Sequence, residues 1–436
     1  MTQIRRSSFK KRFHQWLRDL FAHLPRSVRH RFYRSMVDCD PAPDLRLQLK
    51  IAETQAELED CFRILHDAYV GSGFMKPDPS GLRVTDYHAL PTTTTLCALY
   101  DGRVVGTISM IREGVFGFPL QSVFDLEHVR AKGGNIAEIS ALAVHPDFRK
   151  TGGAILFPLM KFMHEYCTEY FDTRHLVIAV NPDRIELYEA LLFFQRLQER
   201  TVDNYDFANG APAVGATLDL KHASEVFKAG YKGKRARKNL HKYFFQTRLE
   251  NINVPKRRYF TTNDAVMTPS LLDHFFNQRT QRFSELDDRK KALLWSIYSM
   301  VEYRRVLPML SAASSEVGAG AAQHPLRQHQ RHSIRCPGEM SVNIANGQQI
   351  IKLQVIEISL LGFQAECQHE LPVGSVGEAV IALGEAERAH VHATAVRRKD
   401  SDGRSFIGFR LDEPDRVWRE CVAALETGLT ASDLSR

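Results

Sequence analysis

The sequence predicts an α/β domain with helical additions, followed across a small-residue linker by a small β-barrel. Three observations predict it. Between residues 45 and 220, apolar strand-like runs alternate with amphipathic helical stretches. At 311–322 a run of Ser, Ala, Gly and Val residues, with the single acid Glu316, breaks the pattern. Beyond it, short strand-like runs recur at close spacing. A chain of 436 residues is also too long for one ordinary domain.

The elements follow in order. Leu45, Leu47, Leu49 and Ile51 alternate with charged or polar residues, which predicts a strand. Residues 54–70 place Leu58, Cys61, Phe62, Leu65 and Ala68 on one helical face. Asp101-Gly102 between two apolar runs predicts a hairpin over 96–110. Ile136–Val144 reads as a strand, 153–170 as a helix and Leu176–Val180 as a strand. A further helix begins near Asp183. The sum is a mixed sheet with helices on its faces.

Composition narrows the class. No window of about 20 apolar residues is present to span a bilayer. The seven cysteines are odd in number, scattered and without a CxxC pair. A reduced cytosolic compartment without structural zinc or metal is therefore expected. Before Asp38, ten Lys and Arg residues stand against one acid, a net +9, while the whole chain carries +7. Basic character thus belongs to an N-terminal arm (1–44), which argues against nucleic acid as the main partner.

Within that arm, Ser8 can cap a helix whose apolar stripe runs through Phe9, Phe13, Trp16, Leu17, Leu20, Phe21 and Leu24, with Pro25 at its end. Residues 8–34 suit an anionic membrane interface, with aromatics buried and charges on headgroups. Packing on the body, docking of an acidic carrier protein and organelle targeting stay open beside it.

The segment from Glu138 to Ala154 carries the chemistry. It is a strand beginning with one acid, then a turn, then Arg149-Lys150-Thr151-Gly152-Gly153-Ala154 opening a helix. Backbone N–H groups at such a helix start bind phosphate, and Gly152 and Gly153 permit close backbone approach. A glycine-rich turn before a core helix is the bland alternative. The loop resembles the R-x-x-G-x-G/A loop of the GNAT acyltransferase superfamily. Asn181 and Tyr188 sit where that superfamily often has an asparagine after the next strand and a tyrosine on the following helix. More narrowly, Tyr87-His88-Ala89-Leu90-Pro91, the 96–110 hairpin, Phe118-Pro119-Leu120 and the Glu138–Val144 strand resemble the long-chain N-acyl amino acid synthases, relatives of the acyl-homoserine lactone synthases. The resemblance covers about 45–220.

It implies transfer of a fatty acyl group from an acyl carrier protein thioester, or from coenzyme A, to an amino acid or related amine. No tightly bound cofactor is implied. Amide formation needs a neutral amine, a polarised carbonyl and a protonated leaving thiolate. Glu138 is the candidate base, directly or through water, and Tyr188 the candidate thiolate acid. A strand backbone near the thioester can bind the oxyanion. Arg149, Lys150, Thr151, Gly152, Gly153, Ala154 and Asn181 are the candidate donor-binding residues. Cys97 and Cys167 lie in apolar patterns and read as core residues, so direct transfer is expected.

Residues 221–310 interleave Lys and Arg with Tyr243, Phe244, Phe245, Tyr259 and Phe260. They read as a helical extension that receives a carrier protein, covers an acyl chain or presents a solvated face. Residues 285–307 read as helical through Leu286, Leu293, Leu294, Ile297, Val301 and Leu307.

After the linker, residues 323–420 supply strand-like runs, leaving 421–436 as a tail. Arg331-His332-Ser333-Ile334-Arg335 and Glu357-Ile358-Ser359-Leu360-Leu361-Gly362 resemble the RxxxR and D/NxSxxG signature of PilZ domains, which commonly bind cyclic di-GMP. The resemblance implies that Arg327, Arg331, Arg335, Glu357, Ser359 and Gly362 hold that nucleotide as a regulatory ligand. Glu357 replaces the usual Asp or Asn. Together the resemblances imply a bacterial cytoplasmic N-acyltransferase controlled by nucleotide, with the arm permitting attachment at the inner membrane. Two alternatives stay open: a short-chain acetyltransferase, and a catalytically inactive cyclic di-GMP-responsive scaffold.

Overall fold

A computed structural model describes residues 24–149, 151–171, 173–254, 258–261, 267–298, 301–310, 331–344, 347–367, 371–401 and 404–427. The first body is built on a nine-stranded sheet in the order β6-β8-β5-β4-β3-β2-β1-β9, with β7 paired to β8. Its members are β1 (Leu47–Ile51), β2 (Thr93–Tyr100), β3 (Arg103–Arg112), β4 (Asn135–Val144), β5 (Thr173–Val180), β6 (Gln195–Arg196), β7 (Val202–Tyr205), β8 (Ala211–Asp219) and β9 (Ile252–Asn253). The β2–β3 turn places Asp101 and Gly102 at φ 51° and 76°, the left-handed pair that matches strand twist.

Helix α1 (Arg26–Met36) begins directly after Pro25. Proline fixes a φ that suits entry into a helix, so the residue expected to end one helix starts another. α1 docks on α4 (Pro182–Leu192). Arg29 meets Glu186 and Arg26 meets Glu189, each at 2.6 Å. The Arg34 guanidinium lies 5.5 Å from the Phe193 ring centre. Residues 26–34 of the arm thus pack on the body. The stripe from Phe9 to Phe21 lies outside the described residues.

Helix α2 (Gln55–Gly71) starts on a capping box in which Thr54 and Glu57 exchange hydrogen bonds. It buries Leu58, Cys61, Phe62 and Leu65, the face its periodicity predicts. α3 (Leu156–Glu165) packs with α5 (Leu220–Gly230) and α6 (Leu240–Phe245) around Phe162, Phe227 and Tyr243. Residues 220–249 are therefore part of the main core. In this stretch Tyr243 and Phe244 turn inward while Lys232, Arg235 and Lys242 stay exposed. Residues 267–298 and 301–307 pack on the α2 side through Phe275, Phe276 and Phe283. The predicted helix over 285–307 is broken: α7 (Asp288–Ile297) and a short turn at Val301–Arg304 are separate. No helix among the described residues is long and apolar enough to cross a membrane.

The second body is a closed barrel, β10-β11-β12-β15-β14-β13. Its strands are β10 (His332–Ile344), β11 (Gly347–Ser359), β12 (Gly362–Cys367), β13 (Val376–Ala382), β14 (Arg388–Ser401) and β15 (Arg404–Leu411). Helix α8 (Arg416–Thr427) buries Trp418, Cys421 and Val422 in the barrel core. It crosses the boundary expected at 420, so the barrel unit continues into the expected tail. The barrel core also takes in a residue from before the linker. Tyr259, from the segment between β9 and the later helices, is 1% exposed inside the barrel core. Phe260 N–H donates to the Leu383 carbonyl at 2.8 Å, and Arg258 binds Glu387 and Glu420. Gly384 allows this approach: a Cβ there would lie 1.9 Å from the Arg258 carbonyl oxygen.

Candidate functional site

The site arises where two parallel strands part. β4 and β5 pair from Asn135–Thr173 to Glu138–Val177 and no further, although they continue to Val144 and Val180. The cause lies on the other edge of β4. There Ile108 of β3 faces two residues, Ala141 and Leu142, and Ala141 adopts φ 55°. Such a bulge bends its strand and re-aims the following groups. It turns the second half of β4 from β5 and leaves backbone of 139–144 without a β5 partner.

A cavity of about 300 Å³ fills the opening. Its walls are mostly apolar: Ile139 and Leu142 of β4, Ile178 and Val180 of β5, Met160 and Met163 of α3. Phe227, Phe244 and Phe245 close one side. An apolar cavity with few polar groups suits a hydrocarbon chain. Asn181 and Tyr188 also line it. The Asn181 carboxamide caps α4 by accepting from the Asp183 N–H at 2.9 Å. Burial holds the Tyr188 phenol above its usual pKa, so it is protonated at neutral pH.

Beyond β4 lies the glycine loop. Gly152 and Gly153 have φ 67° and 95°, conformations that favour glycine. Among the described residues their N–H groups have no acceptor. A Cβ on Gly153 would stand 2.6 Å from the Phe157 ring. Arg149 folds back, its Nε donating to the Val144 carbonyl at 2.8 Å. Thr151 Oγ1 donates to Phe148 O at 2.7 Å. Both side chains brace the loop. Ala154 N–H donates to Thr151 O at 3.3 Å. Lys150 lies outside the described residues.

Glu138 sits on the opposite face of the sheet from Tyr188, across from Ile111 and among Phe118, Leu120 and Tyr205. It is 1% exposed and does not line this cavity. Burial pushes its carboxyl up to about 8, opposed only by a hydrogen bond from the Leu120 N–H. The two candidate proton-transfer groups therefore share no wall. Cys97 and Cys167 are buried, and burial pushes the Cys167 thiol up to about 12. A cysteine nucleophile is disfavoured.

One group escaped the motif reading. Arg83 is buried in a small chamber on the Glu138 face, with Thr85, His88, Ser109, Ser140 and Ala141. Tyr69, Ser140 and Ala141 line both chamber and cavity. No sequence signal marked it, since Arg83 stands in an irregular stretch after α2 where Lys76, Asp78, Ser80 and Asp86 are polar as well. Among the described residues, no group of three or more His, Cys, Asp or Glu side chains is placed to hold a metal.

On the barrel, Arg331 binds Glu357 at 2.5 Å. Ser359 and Gly362 are the paired ends of the β11–β12 turn, where Ser359 Oγ donates to Gly362 O at 3.1 Å. Trp418 Nε1 donates to Ser359 O at 3.0 Å and fixes the turn from below. A Cβ at position 362 would stand 2.5 Å from the Phe409 carbonyl oxygen, so glycine is required. Arg335 is exposed on β10, and Arg327 lies outside the described residues. Strand pairing also aligns Ser333, Glu357, Gln364, Gly408 and Arg397 in one row. Gln364 and Arg397 had no sequence signature, because register alone brings them to Glu357.

Comparison with known proteins agrees with this architecture. Residues 60–219 match the family described as N-acyl amino acid synthase FeeM, and residues 325–425 match the PilZ domain. No curated protein matches. Among solved structures, FeeM, an N-acyl amino acid synthase from uncultured soil microbes, is 24% identical, with TM-score 0.36, over 41% of this chain and 93% of its own. BjaI, a CoA-dependent acyl-homoserine lactone synthase solved with MTA, is 19% identical, with TM-score 0.34, over 48% and 95%. The PilZ domain of YcgR from Escherichia coli, solved with c-di-GMP, is 18% identical, with TM-score 0.20, over 23% and 92%. The chain joins a GNAT-like α/β domain to a PilZ-like barrel.

Proposed function

We propose that this protein is an N-acyltransferase that joins a long fatty acyl group to the amino group of an amino acid, under control of cyclic di-GMP. The observation that carries the reading is the apolar cavity opened by the parting of β4 and β5. An acetyl group needs no such space; a long chain does, and its burial contributes about 0.8 kcal/mol per methylene. The match of residues 60–219 to an N-acyl amino acid synthase family supports the same class.

In this reading the donor phosphate rests on the N–H groups of Gly152 and Gly153, and the pantetheine arm follows the unpaired edge of β4. The acyl chain enters the cavity. Backbone N–H at the Ala141 bulge receives the developing oxyanion. Glu138 takes the amine proton through water, since it does not line the acyl cavity. Tyr188 returns a proton to the thiolate. The donor is a carrier-protein or coenzyme A thioester, and the exposed Lys232, Arg235 and Lys242 suit an acidic carrier. Arg331, Arg335, Glu357, Ser359 and Gly362, with Arg327, form the nucleotide site; the Arg331–Glu357 pair opens to free the guanidinium for phosphate.

The test is mass spectrometry of lipid extracts from cells expressing the intact protein or its Glu138→Gln form. An N-acyl amino acid series present only with the intact protein is expected. Its absence, or an acetylated product instead, overturns the reading.

A further inference from the structure

We propose that Arg83 is the carboxylate anchor of the acceptor, so that the enzyme selects amines bearing an α-carboxylate. This rests on the acyl-transfer reading above and narrows its acceptor.

The first support is an uncompensated charge. Arg83 is 7% exposed. Its Nη2 donates to the Phe207 carbonyl at 2.6 Å, while its buried Nε has no partner. Among the described residues no carboxylate pairs with it. A buried guanidinium without a counter-anion is costly, and an anion arriving in the chamber offsets that cost. A purely bracing role accounts for the bond to Phe207 but leaves Nε unexplained.

The second support is orientation. The guanidinium carbon lies 4.1 Å from the Tyr69 ring centre and 5.3 Å from that of Phe207. Two aromatic faces hold the plane of the fork, which suits bidentate capture of a carboxylate. His88 does not compete as a cation. Its Nδ1 accepts from the Thr85 N–H at 3.0 Å, and burial, with the Arg83 charge, pushes its pKa down to about 3.

The third support is position. The chamber offers about 10 Å³, room for one water, so a carboxylate enters only as the lining side chains shift outward, and no larger side chain fits beside it. It lies on the Glu138 face, where Ser140 follows Glu138 two residues along β4. Ser140 and Ala141 divide it from the acyl cavity. In an α-amino acid one carbon separates carboxylate from amine. A carboxylate on Arg83 therefore leaves the amine at the Ser140–Ala141 partition, between the candidate base and the thioester. The variable side chain must leave by another route.

The experiment uses the full-length enzyme with dodecanoyl thioesters of coenzyme A and of carrier protein. The common amino acids are screened, and the fastest is compared with its carboxamide and its decarboxylated amine. The expected result is a preference of about tenfold or more for the carboxylate form, as for a lost charge-assisted hydrogen bond. Arg83→Gln should bring that ratio near one through acceptor KM, with donor KM unchanged; Arg83→Lys should retain part of it. Equal use of the carboxamide by the parent enzyme, or full preference in Arg83→Gln, overturns this proposal alone. If Arg83→Gln does not fold, the parent comparison and Arg83→Lys decide. No product from any amine overturns the acyl-transfer reading and this proposal with it.

Discussion

The Leu120 N–H donates a 3.0 Å hydrogen bond to Glu138, the one polar contact of that buried carboxylate among the described residues. One donor does not replace the hydration of an ionised carboxylate, so desolvation wins and the pKa rises to about 8. The folded state thus prefers the protonated form. The stability this confers is complete below the ordinary glutamate range and is lost as pH rises through about 8. We predict that Glu138→Gln, which keeps the shape without the charge, melts near the parent at about pH 5 and well above it at about pH 9. A tenfold difference in proton affinity between folded and unfolded chains corresponds to about 1.4 kcal/mol. Urea denaturation at both pH values checks this; an equal offset at both would refute the buried-charge account.

The same substitution should cut turnover by roughly tenfold to ten-thousandfold, the range for a lost proton-transfer group. In the parent, turnover should climb as pH passes about 8, because only ionised Glu138 accepts a proton. Initial rates across this range decide, and near-parental turnover in Glu138→Gln excludes the role.

Ala223 stands on the cavity wall beside Phe227 and Phe244. We expect Ala223→Phe to fill that end and shift products toward shorter acyl chains, while costing about 1–3 kcal/mol through overpacking. Competition among saturated acyl thioesters of mixed length gives the answer. An unchanged product profile would mean that the chain lies elsewhere.

At the loop, Gly153→Ala meets both a positive φ and the Phe157 ring. It should raise donor KM several-fold more than Gly152→Ala, whose added Cβ meets open space and which carries only the roughly 1–2 kcal/mol left-handed cost. Donor titrations of the two variants separate close approach from backbone strain. Equal effects would point to strain alone.

On the barrel, Arg331→Ala should weaken cyclic di-GMP binding to the full-length chain by about tenfold or more. Gly362→Ala should abolish it by pressing a methyl against the Phe409 carbonyl. Calorimetry on the full-length protein reads both. Silence of the parent at high micromolar nucleotide excludes this ligand.

The sheet, its hairpin and the barrel strands were legible because period-2 and 3.6-residue patterns report local burial directly. Strand β10 was harder. Arg331 to Arg335 read as a motif, yet His332 to Ile344 forms one long strand that Pro337 and Gly338 obscure. The glycine loop was legible because φ limits residue choice. The parting of β4 and β5 was not, since it depends on Ala141, an unremarkable residue forced to φ 55° by the register with β3. Arg83 was hidden for a similar reason: its partners Tyr69 and Phe207 are distant in sequence.

Tyr259 and Phe260 give the barrel a second attachment that precedes the linker by about fifty residues. The chain visits the barrel, returns to the α/β body and then enters the barrel for good. The barrel is therefore not a detachable cassette. Proteolysis within 311–322 would leave two fragments clasped together through Arg258, Tyr259 and Phe260. Truncation before residue 331 would remove the proposed nucleotide site and also bare two aromatics that the barrel normally covers. A phenotype from such a truncation would mix lost sensing with a newly adhesive surface; a point change such as Arg331→Ala separates them.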